Sequence, residues 1–78
     1  MQLDIISPDK NLYSGEVKAI KLPGIGGSFG ILDNHAPLIS ALKKGQIKIT
    51  DNDGKEELFD VNGGVIEVLK NKVIVLAE

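Results

Sequence analysis

His35 is the only histidine in the chain, and Asp33 and Ser40 stand within five residues of it. An acid, an imidazole and a hydroxyl are the parts of a nucleophilic triad, in which histidine takes the hydroxyl proton and the carboxylate orients the ring. That chemistry also needs a sharp nucleophile elbow and an oxyanion hole, and Leu38-Ile39-Ser40-Ala41-Leu42 offers no elbow. His35 is read instead as a hydrogen-bonded turn residue or a contact residue. Just upstream, Gly24, Gly26 and Gly27 could cradle a phosphate. A dinucleotide fingerprint starting there needs glycine where Phe29 stands and a helix after it, and there is no Gly-Lys-Ser/Thr of a P-loop. One histidine and no cysteine leave only scattered carboxylates for a metal. Asp4, Glu16, Glu56, Glu57 and Glu67 mostly alternate with apolar residues, as on a solvated sheet face. No catalytic, cofactor or metal site is expected, and the residues describe a binding or structural module.

The elements that position these residues are strands. Gln2 to Ser7 alternates and closes at Ser7-Pro8-Asp9. Leu12 to Leu22 is extended, with an interruption expected at Gly15. Val17 and Ala19 point one way and Ile20 and Leu22 the other, a change of phase that predicts a β-bulge around Lys18 and Ala19. Ser28 to Leu32 is a short strand held between the glycine loop and a second turn, Asp33-Asn34-His35-Ala36-Pro37. Leu38 to Leu42 and Gln46 to Thr50 follow. Asp51-Asn52-Asp53-Gly54 is a hairpin signal of type I′ chemistry, with Glu56 to Val61 as its return strand. Asn62-Gly63-Gly64 turns or bulges the chain into Val65 to Lys70, and Asn71 tips a last tight hairpin into Val73 to Leu76. No segment carries a 3.6-residue period over ten positions, so the fold class is all-β, a single sandwich or barrel domain over residues 1–78.

Ile, Leu and Val must build the core, because the chain has two Phe, one Tyr and no Trp. Ile20, Leu22, Phe29, Ile31, Ile47, Ile49, Phe59 and Ile66 are the expected core. In Val65–Leu69 and Val73–Leu76 apolar residues occupy both faces, whereas a sandwich strand needs only one; the second face calls for a partner surface or for cover by the chain's own ends. The net charge is −2 and every basic residue is Lys, which argues against a nucleic-acid partner. No apolar run approaches the about 20 residues of a membrane span, and no signal-peptide pattern opens the chain. No direct membrane insertion is expected; a membrane connection would run through a partner.

Leu3 to Ser7 with Tyr13-Ser14-Gly15-Glu16-Val17, then Gly30-Ile31-Leu32, Asn34-His35-Ala36-Pro37-Leu38, Gly45-Gln46-Ile47 and Asn62-Gly63-Gly64-Val65-Ile66-Glu67-Val68, resemble the epsilon subunit of F-type rotary ATP synthases. The resemblance covers nearly the whole chain. Its specific part is the His-Ala-Pro element combined with a Gly-Gly-Val-x-Glu-Val strand about 26 residues further on. It implies a flattened antiparallel β-sandwich of about ten short strands. It also implies a non-catalytic rotor subunit of the central stalk, bound to the gamma subunit and the polar loops of the c-ring, with the catalytic alpha and beta subunits reached through gamma. Such a subunit couples proton or sodium flow to ATP synthesis at the cytoplasmic face of the bacterial plasma membrane. The resemblance places Gly24, Gly26, Gly27, Ser28, His35 and Pro37 at the ends that meet the c-ring and gamma; the two-faced strands add Val65 and Leu69. Most members of the family it resembles continue past Val75-Leu76-Ala77 into an alanine- and charge-rich two-helix region that can inhibit ATP hydrolysis and in some binds ATP. This chain stops at Glu78, so the expectation here is a short form without the helical hairpin. A small β-barrel binding a ligand with the Gly24–Ser28 loop is the alternative reading.

Overall fold

Along Gly64–Leu69 every second side chain is buried, and the same alternation runs through Lys72–Ala77 and Gln2–Ile6. This is the two-residue period of a pleated strand with one face on a core. The computed structural model describes residues 1–78 and resolves this pattern into eight strands. They are β1 (Gln2–Ile6), β2 (Asn11–Gly24), β3 (Gly27–Leu32), β4 (Leu38–Leu42), β5 (Gly45–Asp51), β6 (Glu56–Val61), β7 (Gly64–Leu69) and β8 (Lys72–Ala77). The resemblance implies about ten strands and the structure has eight, of which β2 is the longest, unbroken for 14 residues. Gly15 does not interrupt it; the Tyr13 ring packs over that glycine, where a Cβ would lie 3.2 Å from the phenol oxygen.

The strands follow the order β1-β8-β7-β4-β2-β5-β6, with β3 on β2, and β1 returns to pair with β2. β2 therefore belongs to both layers of the sandwich. Its first half, Asn11–Glu16, pairs with β1. Its second half lies between β3 and β5, with Ile20 opposite both Ile31 and Ile49. The register slips between Val17 and Ala19, the bulge expected from the change of apolar phase. Most neighbours are antiparallel, but β1 and β8 run parallel, a pairing that no local pattern announces.

Between the layers lies an aliphatic core that includes Leu3, Ile5, Ile20, Ile47, Ile66 and Val75, with no charged or polar residue buried in it. Full burial of each such side chain contributes about 1.5–3 kcal/mol. Six of the eight expected core residues are there; Phe29 and Phe59 are only half-buried against its rim. Phe59 sits on β6, which has a single neighbour, and its ring meets Tyr13 edge-on at 5.8 Å between centroids. Both rings pack against the aliphatic core without being enclosed by it, Phe29 from the β2–β3 hairpin and Phe59 from the edge strand β6.

The turns set the registers. Across Asp51–Gly54 the Gly54 N–H donates to the Asp51 carbonyl at 3.0 Å. The Asp51 carboxylate accepts from the N–H groups of Asp53 and Lys55, both at 2.9 Å. Only Gly54 has positive φ there, +85°. This is a type I turn followed by a left-handed glycine, not the type I′ turn suggested by Asp53-Gly54, since type I′ needs positive φ at both central residues. The Asp51 carboxylate selects the observed form by binding the two amides. Positive φ at two consecutive central residues occurs instead at Lys70 (+50°) and Asn71 (+60°).

Candidate functional site

No hydrogen bond joins Asp33, His35 and Ser40 to one another. The His35 Nδ1–H donates to the Ala36 carbonyl at 2.7 Å, Ser40 Oγ donates to the Ala41 carbonyl at 3.4 Å, and Asp33 Oδ1 accepts from the Met1 ammonium at 2.7 Å. Each member of the would-be triad has a partner elsewhere. What the fold builds instead is two loop clusters at opposite ends of β3 and β4, with an apolar sheet face between them.

The first cluster is the tip of the β2–β3 hairpin. Gly24 is buried there, and a Cβ on it would lie 2.6 Å from the Gly27 carbonyl oxygen and 2.7 Å from the Phe29 ring. Its freedom from a side chain lets Phe29 fold over the hairpin, so Gly24 serves packing there. Gly26, Gly27 and Ser28 are exposed, as is Ile25 at the very tip. Gly27 holds φ +129°, in a region a side chain disfavours. Hydrogen bonds from Ile25 N–H to the Ala41 carbonyl (3.3 Å) and from Lys43 N–H to the Pro23 carbonyl (2.8 Å) tie the tip to the end of β4.

The second cluster lies six residues away along β3, about 20 Å of extended chain. Asn34 takes a left-handed conformation, φ +60°. Its N–H donates to the Asn71 side-chain oxygen at 2.8 Å, which joins the His35 loop to the β7–β8 turn. His35, Pro37, Leu69 and Lys70 border one open depression at this end. Nearby, the Met1 ammonium is held by the Val17 carbonyl (3.0 Å), Asp33 (2.7 Å) and Glu16 (3.5 Å). The hydrogen bond to Asp33, helped by the charges of Asp33 and Glu16, raises its pKa above the ordinary value despite the opposing effect of burial.

The outer face of β4, β7, β8 and β1 connects the clusters. Ile39 (71% exposed), Leu76 (55%), Leu69 (49%) and Val65 (43%) point to solvent from it, and Ile6 lies at its far side. Val65 stands opposite Leu76, and Ile6 opposite Leu76 on the other flank, so the apolar atoms adjoin across strands. Val65 and Leu69 are legible from the sequence; Ile39 is not among the expected contact residues, although Leu38 and Ile39 are adjacent apolar residues that point to opposite faces of β4. Glu67 lies in the middle of this face, directly opposite Ile39 on one side and Ile74 on the other. It forms no ion pair.

A family model described as ATP synthase, Delta/Epsilon chain, beta-sandwich domain matches residues 1–78. The ATP synthase epsilon chain of Dichelobacter nodosus (strain VCS1703A) is 51% identical over 77 residues, which are 99% of this chain and 54% of that protein. This chain thus spans about half the length of that curated relative. The ATP synthase epsilon chain of Chlorobium limicola is 44% identical over 77 residues, 99% of this chain and 88% of that protein. A chain in the cryo-EM structure of Euglena gracilis mitochondrial ATP synthase, OSCP/F1/c-ring in rotational state 1, superposes with a TM-score of 0.91. It is 22% identical, and the match covers 96% of this chain and 48% of that one. A chain in the central stalk/c-ring structure of Tetrahymena thermophila mitochondrial ATP synthase gives a TM-score of 0.83 at 18% identity, covering 99% of this chain and 62% of the other. At these identities the two structures share the fold.

Proposed function

Because the chain belongs to the family of the ATP synthase delta/epsilon chain beta-sandwich domain, we propose that it is a non-catalytic rotor subunit of the central stalk. In this reading it binds the gamma subunit and the polar loops of the c-ring, and couples proton or sodium translocation to ATP synthesis. It sits peripherally at the cytoplasmic face of the bacterial plasma membrane as part of the complex and reaches the alpha and beta subunits through gamma.

The observation that carries the reading is the outer face of β4, β7 and β8. Ile39, Val65, Leu69 and Leu76 are all more than two-fifths exposed there, on strands whose inner face is already buried. A contiguous apolar patch of this kind is the signature of a protein contact. Gly26, Gly27 and Ser28 at one end, and His35 and Pro37 at the other, leave both ends of the domain open to a second partner. The hairpin tip suits the polar c-ring loops, since exposed glycines let another backbone approach closely.

Size-exclusion chromatography of this chain with the gamma subunit of the same complex tests the proposal. Co-elution at equal stoichiometry, lost in Val65→Lys or Leu69→Lys variants that keep the parent melting temperature, is the expected result. Separate elution at micromolar concentrations beside a folded gamma subunit would refute it.

A further inference from the structure

Glu67 is the one charged residue set between apolar neighbours on both flanks of the outer face. Its side chain projects outward from the centre of β7, with Ile39 and Ile74 directly opposite it and Val65 and Leu69 two residues away on the same face. Three adjoining depressions cover this surface, and Glu67 borders all of them. Nearby cations exist but do not engage it. Lys72, opposite Leu69, stands diagonally from Glu67, Lys70 lies in the turn beyond, and neither forms an ion pair with it. On the other flank, Asp4 sits opposite Ile74 and adds a second negative group, hydrogen-bonded by Ser14 at 2.7 Å.

A carboxylate in that position has a definite consequence once the face is covered. Burial without a partner is costly for an ionised group, so an entirely apolar covering surface would be repelled. A surface that brings a cation to the same spot instead gains a charge-assisted hydrogen bond in a dry surrounding. We propose that Glu67 is the specificity-determining residue of the proposed contact with the gamma subunit. The covering surface is apolar and carries a single Lys or Arg that lands on the Glu67 carboxylate. The apolar rows on either side supply contact area, while Glu67 fixes the register of the partner along the strands and rejects apolar surfaces lacking the cation. This rests on the rotor-subunit reading given above.

The test measures the affinity of this chain for the gamma subunit by titration calorimetry, comparing the parent with Glu67→Gln, Glu67→Leu, Val65→Lys and, as a control on the opposite layer, Glu57→Gln. Glu67 has no partner within the domain, so its variants should melt with the parent; the nearly isosteric Gln variant serves if the Leu variant does not fold. Both Glu67 variants should bind at least about tenfold more weakly, because each leaves a buried cation of the partner unpaired. Glu57→Gln should bind as the parent does. The Leu variant is decisive, since it enlarges the apolar face. If it binds as tightly as the parent or tighter while Val65→Lys abolishes binding, gamma docks on this face by apolar contact alone and the proposal fails. If no variant alters the affinity, gamma binds elsewhere and the proposal fails with the choice of face. If the parent itself does not bind gamma, the rotor-subunit reading fails.

Discussion

Replacement of Gly64 by alanine should be among the most damaging single-methyl additions to this domain, and three glycines allow its causes to be separated. Gly64 has φ +147° and pairs with Leu42 on β4 and Ala77 on β8. A Cβ there would collide with the Leu76 carbonyl oxygen and lie 3.2 Å from the Ala77 Cα, both backbone atoms of the adjoining strand. Holding a side chain in that region of φ costs about 1–3 kcal/mol, and forcing an atom into a packed site costs about 1–3 more. The sum, about 2–6 kcal/mol, is a large share of the about 5–10 kcal/mol that holds a small domain folded. Gly54 has positive φ, +85°, but open space around it, so its alanine variant carries only the conformational cost, about 1–3 kcal/mol. Gly26 has neither feature, and alanine there should be neutral or should stabilise by up to about 1 kcal/mol through the unfolded chain. Urea unfolding followed by circular dichroism gives all three values on one scale. At about 4–8 °C per kcal/mol, Gly64→Ala should melt well below Gly54→Ala, and Gly26→Ala at or above the parent. Equal melting of the Gly64 and Gly54 variants would refute the argument, because it would mean that β7 and β8 part to admit the methyl without cost.

Two predictions concern pH. The Met1 ammonium has a raised pKa in the folded chain through Asp33 and Glu16, so its stabilising contribution is complete below about pH 8 and is lost as pH rises through the raised value. Melting temperatures of the chain with a free and an acetylated amino group should differ below pH 8 and converge as pH rises through the raised value; a constant difference would show that only steric fit is involved. Tyr13 also has a raised pKa, chiefly through burial and then through Asp51 and Glu57. The unfolded chain loses this proton first, so stability should fall as pH climbs past about 10. Tyr13→Phe should flatten that alkaline decline, and tyrosinate absorbance should show late ionisation in the folded parent.

Strands were legible in the sequence wherever one residue in two is apolar, and the slip between Val17 and Ala19 was visible because a bulge inverts that alternation. Turn geometry was less so. Asp53-Gly54 carries the type I′ pair, but the Asp51 carboxylate binds two amides and selects another turn, whereas Lys70-Asn71 adopts positive φ without any glycine. The long-range features left no local trace. The parallel β1–β8 pair joins the two ends of the chain, and the Met1 ammonium meets Asp33 across 32 positions of sequence. Glu67 read as one of many solvent-facing acids until the register set Ile39 and Ile74 beside it. Gly24 is a related case: a glycine in a loop suggests exposure, and only the path of the Phe29 ring covers it.

The position of β1 has a consequence for how the protein is made. Its two edges are taken by β2 and, in parallel, by β8. During synthesis β2 emerges soon after β1, but the second edge stays open until Lys72–Ala77 has left the ribosome. A nascent chain held short of that point exposes a row of unpaired backbone groups flanked by Leu3 and Ile5, the kind of edge that recruits foreign strands. Pairing over such a separation also slows folding. The domain therefore closes as a unit and late, and a chain released before β8 should gather on chaperones or in aggregates rather than persist as a stable half-sandwich.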